Sequence, residues 1–241
     1  MQIQKEYFVA LSICYFLKPK TIFIMANTNR KTESNTLEQY RVALDNVQQQ
    51  PTIAGAMAEV GYDNPKITEG TQLLQQTRAA FDFNKQEDDE TNEASAKFKA
   101  EKTKLDELYR LHRKKAKVTF RKQPETLKRL ELLGQVPAAY TNWIESIKKF
   151  YNNITDQEIQ QLATIKLTQS EIDEAKNLIN TVEAARSEYL REVGESQDAT
   201  KQKDAAFAKM EDWMRDFYAV AAIALDDKPQ MMEALGKLRK S

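Results

Sequence analysis

The sequence predicts an all-α protein: an antiparallel bundle of long helices, built from two repeated αα-hairpins and closed by short helices that begin at proline. Three observations carry this expectation. First, glycine and proline are scarce, six of each in 241 residues, while Ala, Leu, Glu, Lys and Gln, the strong helix formers, are abundant. Second, three stretches share one punctuation, "QQQPTIAGAMAEVG", "TFRKQPETLKRLELLG" and "ALDDKPQMMEALG". In each, an apolar-periodic run meets Pro, then a short run of helix formers, then Gly. Third, apolar residues recur at spacings of three and four, and the strict alternation of a strand is almost absent.

The N-terminal region stands apart. Residues 1–24 hold an apolar run, but its longest uncharged part, residues 7–17, is eleven residues, well short of the ~20 a membrane-spanning helix needs. Three readings stay open: an upstream extension ahead of a start at Met25, a weak signal-like segment or anchor, and an ordered native segment. The signal reading lacks a small-x-small cleavage site after Lys18-Pro19-Lys20. Residues 25–35 are polar and expected to be flexible. Residues 36–241 are expected to form a single helical-bundle domain.

Within that domain a helix is expected from about residue 37 to 50. Pro then ends it, because the ring lacks an N–H and clashes with the preceding turn. The same Pro suits the first turn of a new helix. Gly61, Gly134 and Gly236 can take the left-handed conformation that closes a short helix. Each unit therefore reads as a short capping helix that turns the chain.

Thr68 and Thr168 both follow a Lys and an aliphatic residue, and both are expected N-caps. Thr168 with Glu171 forms a capping box, in which each side chain satisfies a backbone N–H at the helix start. Helices are expected from these caps to about residues 85 and 193. Polar loops, "NKQEDDETN" and "GESQDATK", would follow, and then longer helices up to Pro124 and Pro229. On this reading the hairpin repeats cover about 67–134 and 167–236, offset by 100 residues at their start and 105 at their end.

The last long helix carries the clearest pattern. Ala206, Met210, Trp213, Phe217, Val220 and Ala224 step by four and three along a coiled-coil-like seam. Ile172, Ala175, Ile179, Val182, Tyr189 and Val193 offer a facing stripe. Trp143, Ile147, Phe150, Tyr151 and Ile154 predict a further amphipathic helix between the halves. The ending "DWMRDFYAVAAIALDDKPQMMEALGK" resembles the C-terminus of uncharacterised bacterial all-helical bundle proteins. The resemblance covers about thirty residues. It implies a bundle and a bacterial source, and no activity, cofactor or site residue.

Composition narrows function by exclusion. Lys+Arg and Asp+Glu balance at 36 each, so nothing global marks a polyanion binder. One cysteine, Cys14, allows neither an internal disulfide nor a Cys-based zinc site, and a cytoplasmic location is expected, or export if residues 1–24 act as a signal. One histidine, His112, cannot supply the paired Glu-x-x-His sets of a di-iron bundle. No phosphate-binding glycine loop is present. The acidic run at 87–90 lacks the spacing and glycine of a calcium loop and reads as a solvated tip. No catalytic residue, metal ligand or cofactor is therefore expected.

One stretch departs from the repeat. Residues 110–122, "RLHRKKAKVTFRK", carry seven cations and no acid: Arg110, Arg113, Lys114, Lys115, Lys117, Arg121 and Lys122. Such a run is commonly a solvated helix face whose lysine stems cover apolar surface. It is also the candidate partner-binding stripe. The leading expectation is a non-enzymatic bundle acting through a protein partner or as a homo-oligomer. The second is binding of nucleic acid or an anionic membrane surface through 110–122. The third, an enzyme or small-ligand carrier, needs an inter-helix pocket.

Overall fold

The structure is a computed structural model and describes residues 32–236. It contains eight helices among the described residues and no strand: α1 (Glu33–Gln49), α2 (Pro51–Glu59), α3 (Asn64–Thr119), α4 (Pro124–Arg129), α5 (Tyr140–Asn153), α6 (Asp156–Ala163), α7 (Gln169–Ala224) and α8 (Met231–Ala234). The expected all-α, antiparallel packing of long helices is present.

α3 and α7 dominate. Each has 56 residues, which at 1.5 Å per residue makes a rod of about 84 Å. Cross-helix contacts fix their direction. Thr77 lies against Ala206, Asn84 donates to Thr200, Ser196 donates to Asp88, and Lys97 pairs with Glu188. Numbers rise on one helix as they fall on the other, so the pair is antiparallel.

This pairing corrects the expected loops. Residues 84–92 and 194–201 lie inside the continuous helices α3 and α7. The strands of charge that suggested loops are good helix formers with no proline, and i,i+4 contacts such as Gln86–Glu90 and Arg191–Glu195 support them. The long antiparallel contact therefore joins the two halves instead of folding each half on itself. Gly194 sits exposed within α7, where its cost is about 1 kcal/mol relative to Ala.

The first cap is also corrected. Asp63 caps α3, accepting from the Lys66 backbone N–H at 3.2 Å, with Pro65 in the first turn. Thr68 is already helical and donates to the Asn64 carbonyl at 2.8 Å. Thr168 caps α7 with the expected Glu171 box. The caps Asp63 and Thr168 are 105 positions apart, as are the C-caps Phe120 and Leu225, so no length difference falls within the long helices. Residues 33–35 belong to α1, whose Thr32 cap accepts from Asn35 N–H. The expected flexible segment therefore gives way to helix at Glu33. The readings of residues 1–24 lie outside the described residues.

Each end of the rod has its own core. At one end α1, α2 and α8 close over the start of α3 and the end of α7, burying Leu44, Ile53, Met57, Ile67, Met210, Phe217 and Leu235. Gln39 and Asn46 of α1 donate to the Gly236 and Ala234 carbonyls and fasten the α8 turn. At the other end α5, α6 and the α4 turn close over the end of α3 and the start of α7, burying Tyr109, Phe120, Leu130, Leu132, Ile147, Phe150, Tyr151 and Leu162. The three Pro–Gly units build the turns as expected, with Gly61, Gly134 and Gly236 at φ 88°, 73° and 73°.

Candidate functional site

The basic stretch ends α3 beside the α5–α6 head, and its seven cations divide into two groups. Three are used inside the protein. Arg113 is buried and its guanidinium donates to the Leu133 and Gly134 carbonyls, satisfying the turn that follows α4. Lys115 donates to the Lys166 carbonyl and lies 3.9 Å from Glu171, holding the entry to α7. Arg110 pairs with Asp106 one turn back, and Asp106 also accepts from the Trp143 indole N–H at 2.8 Å. Burial opposes that carboxylate's charge, but its bonds from Arg110 and Trp143 hold it below the usual range.

The other four, Lys114, Lys117, Arg121 and Lys122, have no ion pair among the described residues. Lys117 is half-buried, and burial followed by the Arg113 charge pushes its ammonium below the ordinary lysine range. Helical spacing puts Leu111, Lys114, Lys117 and Val118 on one face. Leu111 and Val118 are 51% and 60% exposed there. The face thus mixes one exposed and one half-buried lysine with two uncovered aliphatic groups.

His112 points the other way, into the head. It is 1% exposed, its Nδ1 lies 2.9 Å from the Tyr151 hydroxyl, and its ring meets Tyr151 edge-on. Burial, with help from Lys115 and against Glu171, lowers its pKa to about 4. The imidazole is neutral at physiological pH and fills the core as an aromatic would.

The middle of the rod holds an unexpected polar layer. Between the Phe81–Phe207 contact and the stacked Phe98–Tyr189 pair, the seam is made by Asn84, Glu87, Thr91 and Ala94 of α3 against Glu192 and Ala199 of α7. Glu87 is 7% exposed and Glu192 is 6% exposed. Burial raises the pKa of both, with Glu90 and Glu195 adding to it and Arg191 opposing. Oxygens of Glu87, Glu192 and Glu195 all lie within 4.8 Å of one another.

Residues 87–90, expected as a solvated loop tip, lie inside α3 and contribute to this layer. The signal was present in the spacing: Thr77, Phe81, Asn84, Glu87, Thr91, Ala94 and Phe98 step by four and three straight through the charged run. α6, which no expectation covered, opens with a Thr155–Glu158 capping box that is readable from sequence.

No family model, curated protein or solved structure matches the chain.

Proposed function

We propose that this is a non-enzymatic helical-bundle protein that works through protein contact, as a rod carrying a helical head at each end. One observation carries this reading: two separate apolar cores sit on one continuous helix pair. Gly70 and Tyr109, inside the two heads, are 39 positions apart on α3, or about 58 Å along the axis. A continuous α-helical pair transmits a fixed distance and orientation between surfaces, which suits a spacer or scaffold. Exposed aliphatic side chains lie at both heads, Val60 and Ile223 at one and Leu111, Val118 and Leu133 at the other. The core packing of His112 favours this reading over a catalytic one.

The test is photo-crosslinking from positions 118 and 223 in cells, with light scattering of the purified chain. A defined adduct from the heads, to a partner or to a second copy, is expected, and Val118→Asp or Ile223→Asp should abolish it at that head. A strict monomer that gives no adduct from either head overturns the proposal. A second reading, polyanion binding, is favoured by Lys114, Lys117, Arg121 and Lys122, which make no ion pair among the described residues.

A further inference from the structure

The middle of the rod presents a chemical problem that neither head nor spacer role explains. Glu87 and Glu192 come from opposite helices, and each is more than nine-tenths buried. The Oε2 atom of each has no hydrogen-bond partner. An ionised carboxylate without a partner is among the costliest groups to bury. Arg191 does not solve this. Its Nη1 serves both oxygens of Glu195, at 3.1 and 3.0 Å, and its Nη2 serves Oε1 of Glu192. None of its bonds reaches Glu87. Two of the three carboxylates share that guanidinium, the third has only its charge nearby, and Glu90 adds a further acidic neighbour.

We propose that Glu87, Glu192 and Glu195 bind one hard divalent cation, Ca2+ in preference to Mg2+, that bridges α3 and α7 at the middle of the rod. The acidic grouping alone would not carry this. The two buried side chains that each hold an unpartnered oxygen, within a group whose carboxylates approach to within 4.8 Å, do, because a cation there replaces the missing hydrogen bonds and cancels the excess charge. The donor set is all oxygen, which selects hard cations over zinc or copper. Glu195 is exposed, which leaves a side of the site open to water. Ca2+ accepts irregular, mixed carboxylate–water coordination at six to eight positions, whereas Mg2+ demands a near-ideal octahedron. The consequence is mechanical. A bridge here would fasten the one part of the helix pair that lacks large apolar side chains.

The experiment is calorimetric titration of Ca2+, and of Mg2+ separately, into the chelator-treated full chain near neutral pH. Melting temperature is followed in parallel. The expected result is saturable binding of one Ca2+ with a rise in melting temperature, and at least tenfold weaker binding in Glu87→Gln and in Glu192→Gln. These variants are isosteric and remove buried charge, so the helix pair should persist, as circular dichroism would verify. Asp88→Asn, on the exposed neighbour that accepts from Ser196, should bind as the wild type does. Absence of saturable binding at millimolar Ca2+ overturns the proposal, as does equal binding in the Glu87→Gln/Glu192→Gln double variant. A site shared by a proton instead would show pH-dependent melting that vanishes in the double variant while added Ca2+ changes nothing, and that result also overturns it.

Discussion

Gly70 of α3 makes room for the indole of Trp213 on α7. A Cβ built at position 70 would stand 2.2, 2.5 and 2.6 Å from Cη2, Cζ2 and Cζ3 of that ring. Those distances lie far inside van der Waals contact. The ring has nowhere to go, because it stacks on Phe217 at 5.5 Å and meets Tyr62 at 5.8 Å. The glycine is therefore a notch that lets two helices close over a large aromatic. In isolation Gly70→Ala would favour the helix by about 1 kcal/mol. Here we expect a net loss of about 1–3 kcal/mol, the usual penalty of overpacking. Urea unfolding followed by tryptophan fluorescence measures it. A neutral or stabilising outcome would mean that the ring swings aside freely.

The same cluster predicts the cost of emptying it. Phe217 is fully buried and contacts Trp213, Tyr62 and Tyr218. Phe217→Ala should destabilise by about 3–5 kcal/mol, as large aromatic truncations in cores do. A change under about 1 kcal/mol would contradict this packing.

His112 gives a pH dependence. Its pKa is lowered from the ordinary 6.5 to about 4 by burial and by Lys115, against Glu171. As pH falls, the unfolded chain takes up the proton first and the folded chain resists it. The stability of the neutral core histidine is fully present above about pH 6.5 and is lost progressively as pH falls toward 4. The loss is at most about 3.4 kcal/mol, at 1.36 kcal/mol per pKa unit. His112→Gln should flatten the difference in melting temperature between pH 7 and pH 5 relative to wild type. An unchanged slope would show that carboxylates, not this imidazole, set the acid limit.

Capping chemistry sets where the N-terminal region can be trimmed. Thr32 caps α1, and Glu33 pairs with Lys203 of α7 at 2.8 Å. A chain beginning at Thr36 loses both and should be less stable by about 1 kcal/mol, the usual worth of a cap. A chain beginning at Thr32 keeps both and should be the more stable of the two. Equal stability of the two would show that the first turn of α1 frays at no cost.

The parts of this fold that were legible from sequence are those fixed by local chemistry. Pro51, Pro124 and Pro229 followed by Gly61, Gly134 and Gly236 announced the short turns, because an absent N–H and a positive φ are properties of single residues. The Met210–Phe217 seam announced a buried face. The pairing of α3 with α7 was not legible in the same way. A hairpin turn and a helix interior can both be rich in Glu, Asp, Gln and Lys, and only the facing helix decides between them. Thr68 and Asp63 compete for one cap, and both are good caps; Pro65 can sit in the first turn of a helix and also follow a loop. The basic stretch showed the same limit, since a sequence cannot say which cation meets a carbonyl.

That division of the cations yields the last prediction. Arg113 and Lys114 are adjacent but do opposite things. Arg113→Ala would leave the Leu133 and Gly134 carbonyls without their donor and open a gap beside Tyr109. It should cost about 1–3 kcal/mol, for the lost packing of a buried side chain and the hydrogen bonds of a charged donor. Lys114→Glu, on the wet face, should stay within about 0.5 kcal/mol, as surface substitutions do. Binding separates them in the other direction. If the wet face meets a polyanion, four cations are available, and duplex affinity should fall with salt at a log–log slope no steeper than about −3.6, at 0.9 per phosphate contact. Lys114→Glu with Lys117→Glu should cut that slope by about half, while Arg113→Ala leaves it unchanged in whatever fraction stays folded. Fluorescence anisotropy with a labelled duplex across a salt series, read beside melting curves for each variant, gives both quantities. Polyanion binding that depends on Arg113 and ignores Lys114 and Lys117 would reverse this assignment. No binding at low salt would remove the polyanion reading and leave the exposed Leu111 and Val118 as the surface to probe for a protein partner.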